Sequence, residues 1–337
     1  MIHPFRFRDS YLLQRLARQS VPLYLERHLI QPRWPLWTAL GAPVPWYGSG
    51  VATFVHRQSS TSQNPDGFVQ ARKRLGRPEA EVRYIAPQLS SHDRARETWQ
   101  ALLEHLIAHA GDFGIQRLYT CLPAEDEAAA IVSGCGFALY VRETLFRLRA
   151  TQVNAISSAP SHFVRPQRET DSLALQRLAD RFTPPVVLKA EGAFFKNGGN
   201  HPLIFQNWWQ PGHSEGLVYE RDGELMGALL LQRGSRGVWL RFLGDPMHQD
   251  VMHALLIESM SLLRPLDKPI YCGVRAYQNA LGPTLHTFGF EAVTELARFV
   301  KHTTVSVQEP ATSKTRLLIE TTFPGVISSD VQSIPKK

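Results

Sequence analysis

Residues 101–123 read ALLEHLIAHAGDFGIQRLYTCLP, and residues 254–275 read ALLIESMSLLRPLDKPIYCGVR. Both stretches open with Ala-Leu-Leu, continue with apolar residues at helical spacing, and end in a short run typical of a β-strand. The two triplets are 153 residues apart, and the same interval separates Gly136-Phe137 from Gly289-Phe290. The chain therefore contains an internal repeat, and this repeat decides the fold.

The same order of elements is predicted around both long helices. A strand pair comes first, and in the second half it is joined by Asp222-Gly223, a strong hairpin signal. A strand, the long helix, a strand, a short helix and a final strand follow. The predicted strands and short helices are 51–56, 67–74, 80–86, 117–122, 125–132 and 138–148 in the first half, and 216–220, 225–232, 238–243, 269–274, 280–287 and 291–302 in the second.

The length of 337 residues predicts two domains, because single cores stop growing well below this size. We place the domains at 1–150 and 161–306. Residues 151–160, TQVNAISSAP, are small, polar and proline-ended, as is typical of a linker. The tail 307–337 is rich in Ser, Thr and Pro, and we predict that it is partly disordered.

The composition is that of a globular protein, with 43% hydrophobic and 20% charged residues. No apolar run is long enough to span a membrane, and the amino terminus lacks the pattern of a signal peptide, so we expect a cytoplasmic protein without membrane association. The three cysteines contain no C-x-x-C pair, which favours free thiols over a disulfide or zinc framework.

The net charge is +7, and most of the positive excess lies in residues 1–150, which contain 18 basic and 13 acidic residues. The basic residues are densest at Arg72, Lys73, Arg74, Arg77 and Arg83. A solvated hairpin is the interpretation we prefer for this group, and binding of nucleic acid is the alternative that we weigh against it.

The ordered set of elements resembles the GNAT superfamily of N-acetyltransferases. The resemblance is carried by the two quoted stretches and by the final segments GCGFALYVRETLFRL and HTFGFEAV, and it covers 1–150 and 161–306. It implies an α+β fold of two tandem GNAT-like domains, each with a mixed, splayed β-sheet flanked by helices. It also implies acetyl-CoA or another acyl-CoA as co-substrate, with its pantetheine arm between splayed strands beside Ala86 and beside Leu243-Gly244.

The loop that holds the diphosphate in this family reads Arg/Gln-x-x-Gly-x-Gly/Ala, because glycine lets the backbone amides approach the phosphates. None of the small residues is present in either half of this chain. A carboxylate at this point repels a diphosphate and a bulky residue crowds it, whereas Arg94 and Arg96 remain as side-chain ligands for a phosphate. The motif positions are Arg94, Glu97 and Trp99 in the first half and Met247, Asp250 and Met252 in the second.

The resemblance also implies a tyrosine before Gly-Phe that protonates the departing thiolate. Val132 and Leu285 occupy the corresponding positions, and neither can donate a proton. Tyr119, Tyr140 and Tyr271 lie in predicted strands, where packing is the usual role of a tyrosine. The sequence therefore assigns no catalytic residue.

Two aromatic segments precede the strand pairs, and in the family this region closes over the acyl acceptor. Trp208 and Trp209 are therefore candidate ligands for a small-molecule amine or peptide, although packing within or between the domains is the alternative. The other aromatic residues of these segments are Trp34, Trp37, Trp46, Tyr47, Phe194, Phe195 and Phe205.

His105 and His109 are four residues apart on a predicted helix, a spacing that suits a metal. No third ligand accompanies them, so we expect surface histidines and no metal site.

Three functions follow from these observations. The first is an N-acetyltransferase that moves an acyl group from acyl-CoA to an amine. The second is a catalytically inactive GNAT-fold module that binds a ligand or a partner. The third is an aminoacyl transferase that uses aminoacyl-tRNA, for which the basic first half is the support. Tandem copies satisfy internally an interface that single copies form as dimers, which is compatible with a monomer.

Overall fold

The computed structural model describes residues 1–58, 64–74, 76–149, 161–191, 214–264 and 268–303. All of them belong to one compact unit, Met1–Thr304. The predicted linker 151–160 and the predicted tail 307–337 lie outside the described residues, so the domain boundaries at 150 and 161 stay a prediction.

The elements follow the predicted order in both halves. In the first half they are β1 Ile2–Pro4, α1 Ser10–Ala17, β2 Val21–Pro22, α2 Leu25–Ile30, α3 Pro35–Leu40, β3 Val51–His56, β4 Gly67–Lys73, β5 Glu79–Ala86, α4 Ala95–Asp112, β6 Arg117–Pro123, α5 Glu127–Gly134 and β7 Ala138–Leu148. In the second half they are β8 Val164–Pro166, α6 Ser172–Phe182, α7 Pro185–Ala190, β9 Ser214–Arg221, β10 Glu224–Arg233, β11 Val238–Gly244, α8 Gln249–Leu262, β12 Ile270–Arg275, α9 Gly282–Thr287 and β13 Glu291–His302. Short 3-10 helices occur at Phe7–Asp9, Leu89–Ser91, Glu169–Asp171 and Ala276–Leu281.

Local chemistry explains these elements. Helix α4 buries the predicted apolar stripe, with Leu102, Leu103 and Leu106 fully inaccessible to solvent. The β9–β10 hairpin turns at Asp222 and Gly223, whose φ angles are both positive, as a tight two-residue turn requires. The periodicity of the sequence therefore predicted the strand pairs, the long helices and the elements after them, with ends that differ by one or two residues in most cases. The elements that precede the strand pairs were not predicted, namely β1, β2, α1, α2, α3, β8, α6 and α7.

The strands join into one sheet through an exchange between the halves. The sheet order is β1-β3-β4-β5-β6-β13-β7-β12-β11-β10-β9-β8, with β2 paired to β5 outside this path. Strand β13 of the second half lies between β6 and β7 of the first, and β7 lies between β13 and β12. Each half therefore receives the final strand of the other half.

The repeat extends to the packing of helix on sheet. A Cβ on Gly67 would lie 2.7 Å from Cγ2 of Thr98 on α4, and a Cβ on Gly227 would lie 2.6 Å from Cγ1 of Val251 on α8. Thr98 and Val251 are again 153 residues apart. Both long helices thus lie so close to the sheet that only glycine fits beneath their first turns.

Candidate functional site

Each half contains a pair of parallel strands that separate after a short contact. Strands β5 and β6 pair only from Glu79–Arg117 to Glu81–Tyr119. Strands β11 and β12 pair only from Val238–Ile270 to Leu240–Cys272. Because all four strands continue beyond the last pair, a cleft opens at that point in each half. These are the two splayed clefts that the resemblance implies.

The first cleft is occupied by the chain itself. Strand β2 pairs with β5, and the next residue, Leu23, donates its backbone N–H to the carbonyl of Arg83 at 3.0 Å. The carbonyl of Leu23 accepts a hydrogen bond of 2.8 Å from the backbone N–H of Cys121 on β6. Leu23 is fully buried. The segment 21–24 therefore bridges the two edges of this cleft as an additional strand would.

The space behind the N-terminal end of helix α4 is filled by a buried side chain of the same helix. Trp99 is fully buried, and its Nε1 donates a hydrogen bond of 2.7 Å to the carbonyl of Pro87. Ala86, beside which a pantetheine arm was expected, is also fully buried. Arg94 and Arg96 are exposed at the helix start, and Arg96 forms an ion pair with Glu127 of α5.

Among the described residues, the side chain of Gln278 lies at the second cleft, whereas a segment of main chain lies in the first. The carbonyl of Phe242, two residues past the last β11–β12 pair, accepts a hydrogen bond of 3.1 Å from Nε2 of the buried Gln278. Leu243 and Gly244 follow, and Gly244 has a φ of 145°, which favours glycine. A Cβ there would lie 2.9 Å from the carbonyl oxygen of Met226. Gly244 thus permits a close approach of β11 to β10, where its backbone is buried.

The head of α8 differs from that of α4. Met252 is fully buried within the core of the second half, so its side chain lies beneath the helix. Gln249 and Asp250 are exposed in the first turn. The Asp250 carboxylate is therefore the remaining obstacle to an anion at this helix end.

A cavity lies where the two clefts begin. It offers about 40 Å³ to the centres of water-sized molecules. Glu81 belongs to the last β5–β6 pair, and Trp239 immediately precedes Leu240 of the last β11–β12 pair. Both halves contribute to the lining, with Tyr24, Glu26, Arg27, Arg74, Glu81 and Tyr140 from the first and Glu191, Leu230, Gln232, Trp239, Arg241 and Arg298 from the second.

One ionic network at this cavity connects the halves. Arg298 of β13 donates two hydrogen bonds of 2.7 Å to the carboxylate of Glu143 on β7 and one of 2.6 Å to Glu26 on α2. Arg241 of β11 donates a hydrogen bond of 2.8 Å to the same Glu26 oxygen. Burial opposes ionisation of Glu26, but Arg241 and Arg298 outweigh it and hold its pKa well below the usual range.

A second network corrects our interpretation of the basic hairpin. Arg74 donates hydrogen bonds to Glu81 at 3.1 Å, Glu79 at 3.2 Å and the Tyr24 hydroxyl at 3.0 Å, and Arg83 pairs with Glu81 at 2.7 Å. The side chains of Arg74 and Arg83 are only 18% and 15% exposed. These arginines are therefore part of a buried cluster, and the solvated interpretation was wrong for them. The signal available in the sequence was Glu79 and Glu81, two residues apart on a strand.

Glu191 connects the cavity to the second half. It accepts a hydrogen bond from Arg275 and one of 3.4 Å from the Tyr140 hydroxyl. Burial opposes its ionisation, but Arg275 outweighs this effect and lowers the pKa of Glu191. Tyr119 donates its hydroxyl hydrogen bond to the carbonyl of Ala190 at 2.9 Å, which is the packing role predicted for a strand tyrosine.

The other residues singled out in the sequence are dispersed. Val132 and Leu285 are fully buried and apolar. Trp34 and Trp37 are 45% and 71% exposed and line an open pocket of about 430 Å³. Trp208 and Trp209 lie outside the described residues, as do Phe194, Phe195 and Phe205.

His105 and His109 both lie against Phe54, and His109 accepts a hydrogen bond of 3.1 Å from the indole of the buried Trp46. Within the described ranges, no three His, Cys, Asp or Glu side chains form a group that could hold a metal ion. No helix in the described part of the chain is long and apolar enough to cross a membrane.

The fold of this chain is similar to that of a solved tandem GNAT protein and of a GCN5-related N-acetyltransferase. A tandem GNAT protein from the clavulanic acid biosynthesis pathway, in a structure without acetyl-CoA, aligns with 91% of this chain and 99% of its own at 14% identity and a TM-score of 0.51. A GCN5-related N-acetyltransferase from Sphaerobacter thermophilus aligns with 91% of this chain and 96% of its own, at the same identity and TM-score.

A third similar structure is the GCN5-related glucosamine N-acetyltransferase region of a fungal multi-domain β-N-acetylglucosaminidase. It aligns with 89% of this chain and 38% of its own, with 12% identity and a TM-score of 0.51. No family model and no curated protein matches the sequence. At these identities the similarity establishes the fold.

Proposed function

We propose that this chain is an acyltransferase that takes an acyl group from acyl-CoA and transfers it to an amine, with the donor bound in the cleft of the second half. One observation carries the proposal. The backbone of Leu23 bridges the first cleft on both sides, whereas the side chain of Gln278 is what the described residues place against Phe242 in the second. A side chain rotates away at far lower cost than a paired segment of backbone.

The second cleft also suits the shape of a pantetheine arm. Such an arm carries amide groups, and it can pair with strand backbone as a further strand does. Beyond Leu240 the edge of β11 no longer pairs with β12. In this proposal the diphosphate binds the amide N–H groups at the start of α8, which have no partner within the helix.

The first half acts in this proposal as the structural partner. Its strand β7 pairs with β12 along Glu143–Arg275 to Leu148–Ile270 and so continues the sheet of the donor half beyond β12. Its Glu26 fixes Arg241 on β11 itself. The closed first half thus supports the geometry of the strands that border the second cleft.

No side chain is assigned as an acid or a base. Transfer from a thioester needs the amine and the thioester carbonyl held in contact, and positioning supplies a large part of the rate enhancement in such reactions. A strand N–H that polarises the carbonyl contributes in the same way.

The test is binding of acetyl-CoA followed by turnover. The full chain is titrated with acetyl-CoA by calorimetry, and release of free thiol is then measured with a panel of amines. The proposal expects saturable binding with one donor per chain, and thiol release that depends on the amine. Absence of binding at millimolar acetyl-CoA would refute the proposal. A co-substrate that binds the folded chain must give a measurable binding signal at that concentration.

A second candidate is a binding module without catalysis. The closed first cleft favours it, as do the apolar side chains of Val132 and Leu285 at the positions where the family has a tyrosine. The two candidates separate in the same experiment. Saturable binding of acetyl-CoA without thiol release in the presence of any amine supports the module, and amine-dependent release rules it out.

A further inference from the structure

One arginine that lines the cavity between the halves has more hydrogen-bond donors than acceptors near it. Arg27 of α2 is 6% exposed, and its Nε and Nη1 atoms are buried without a hydrogen-bond partner in the described part of the chain. Its nearest carboxylate is Glu81, with 3.9 Å between Nε and Oε1. Glu81 already accepts from Arg74 at 3.1 Å and pairs with Arg83 at 2.7 Å. A buried charged donor left in this state costs stability, so a partner for it is expected.

The same cavity contains a second donor of this kind. Trp239 is 2% exposed, and its Nε1 is buried without a partner among the described residues. A buried indole N–H normally finds an acceptor, as Trp99 does at the carbonyl of Pro87. Arg27 comes from the first half and Trp239 from the second, and both line the cavity. Two buried donors from different halves, without a hydrogen-bond partner among the described residues, thus line the same cavity.

The charges of the lining favour an anion in this space. Four arginines and three glutamates line the cavity. With the direct ion-pair partners of these residues, Glu79, Glu143, Arg83 and Arg275, the count is six arginines and five glutamates, which leaves one positive charge in excess. The glutamates are engaged by other residues: Glu26 by Arg241 and Arg298, Glu81 by Arg74 and Arg83, and Glu191 by Arg275. Water would satisfy the two donors but would leave the charge uncompensated. A monovalent anion with two acceptor atoms satisfies both requirements.

We infer that the cavity is a binding site for a small carboxylate, which accepts hydrogen bonds from the Arg27 guanidinium and the Trp239 indole. The accessible space of about 40 Å³ corresponds to roughly three water molecules. It therefore admits an anion of the size of formate or acetate and excludes a diphosphate or a coenzyme. The carboxylate belongs either to a free small acid or to the end of a longer molecule.

This site is independent of the donor cleft proposed above. It is formed by side chains that face away from the core containing α8. Binding of a carboxylate to it is measured without coenzyme A. Failure of acetate binding leaves the acyl-donor proposal untouched, and failure of acetyl-CoA binding leaves the carboxylate site untouched.

The test observes the indole of Trp239 directly. The full chain is labelled with 15N-tryptophan, and the Trp239 signal is assigned by its loss in Trp239→Phe. Sodium acetate is then exchanged for sodium chloride at constant ionic strength. The inference expects a saturable downfield shift of the Trp239 indole proton. It also expects at least a tenfold weaker acetate affinity in Arg27→Gln, and unchanged affinity in the matched control Trp37→Phe at an exposed indole.

Chain length distinguishes the two sources of the carboxylate. Affinity that falls from formate and acetate to hexanoate identifies a free small acid, and affinity that persists identifies the end of a longer ligand. An equal response to chloride and acetate would overturn the inference. So would acetate-dependent thermal stabilisation that is the same in Trp239→Phe as in the unmodified chain, a comparison that remains decisive if Arg27→Gln does not fold.

Discussion

The side-chain amide of Gln278 donates a 3.1 Å hydrogen bond to the carbonyl oxygen of Phe242, two residues past the last pair of β11 and β12. In the first half, Arg83 stands at the same distance past its last pair, and its carbonyl accepts from the backbone of Leu23 at 3.0 Å. One cleft is therefore closed by a side chain and the other by a paired segment of main chain. This difference is the reason why we propose the second half as the one that binds the acyl donor.

Replacing Gln278 by alanine is expected to strengthen acetyl-CoA binding. The change frees the Phe242 carbonyl to accept from an amide of the pantetheine arm, and one hydrogen bond is worth about 1 kcal/mol, or roughly fivefold in affinity. Calorimetric titration measures the change. Gln70→Ala is the matched control, because Gln70 is also a buried amide donor, bonded to Pro35 and Thr53 in the first half. An equal effect of both substitutions would contradict the assignment of the donor cleft.

The equivalent acidic residues Asp250 and Glu97 provide a second comparison. Both are exposed in the first turn of a long helix, and they are 153 residues apart. Asp250→Asn removes a negative charge from the helix end that faces the donor, and we expect acetyl-CoA to bind about fivefold more tightly at low salt, since charges about 4 Å apart in water interact by about 1 kcal/mol.

Glu97→Gln removes the equivalent negative charge from the first half, where the cleft is closed. The affinity of the chain for acetyl-CoA should therefore not change. Repeating both titrations at high salt gives a further check, because the gain from Asp250→Asn must shrink as the charges are screened. A gain from Glu97→Gln instead would place the donor in the first half and refute the proposed arrangement.

Leu23 fills the first cleft, and its truncation should be costly. Leu23→Ala removes a fully buried side chain, for which about 3 kcal/mol of unfolding free energy is the typical loss. Urea denaturation measures it, with Leu173→Ala as the control at a leucine that is 58% exposed. A loss below about 1 kcal/mol for Leu23→Ala would mean that the segment 21–24 does not occupy the cleft as described.

The elements were predictable because helical and strand periodicity are local properties of the sequence. Strands 138–148 and 291–302 were predicted with the bounds that the structure shows. Their exchange between the halves was not predictable, since any two strands of suitable pattern can pair, and only the complete sheet selects the partner. Strand β2 escaped detection because Val21-Pro22 is two residues long and contains a proline.

The candidate site was predictable in part. The splayed clefts followed from the resemblance, whereas the cavity between the halves did not. Its glutamates and arginines are far apart in sequence, as Glu26 and Arg298 show, and charged residues are by default expected at the surface. Only the fold brings them together. Burial of Met252 is a further example, because a motif position indicates which residue begins a helix and not which way its side chain points.

Ionised Glu81 is expected to stabilise the fold in a pH-dependent way. Burial acts to raise the pKa of Glu81, but Arg83, Arg27 and Arg74 outweigh it and lower the pKa to about 2 from an ordinary value of 4.5. The unfolded chain therefore binds a proton at this group before the folded chain does. The contribution is complete above about pH 4.5 and is lost as the pH falls towards 2.

Glu81→Gln removes this contribution and leaves three arginines without their common partner. We expect the variant to lose about 3 kcal/mol of unfolding free energy at pH 7, a typical cost of breaking a buried ion pair. The difference from the unmodified chain should shrink between pH 4.5 and 2, because protonation of Glu81 produces the same loss in the unmodified protein. Urea denaturation across this range measures it, with the exposed Glu97→Gln as control. A difference that stays constant with pH would show that Glu81 is not held ionised by its arginine neighbours.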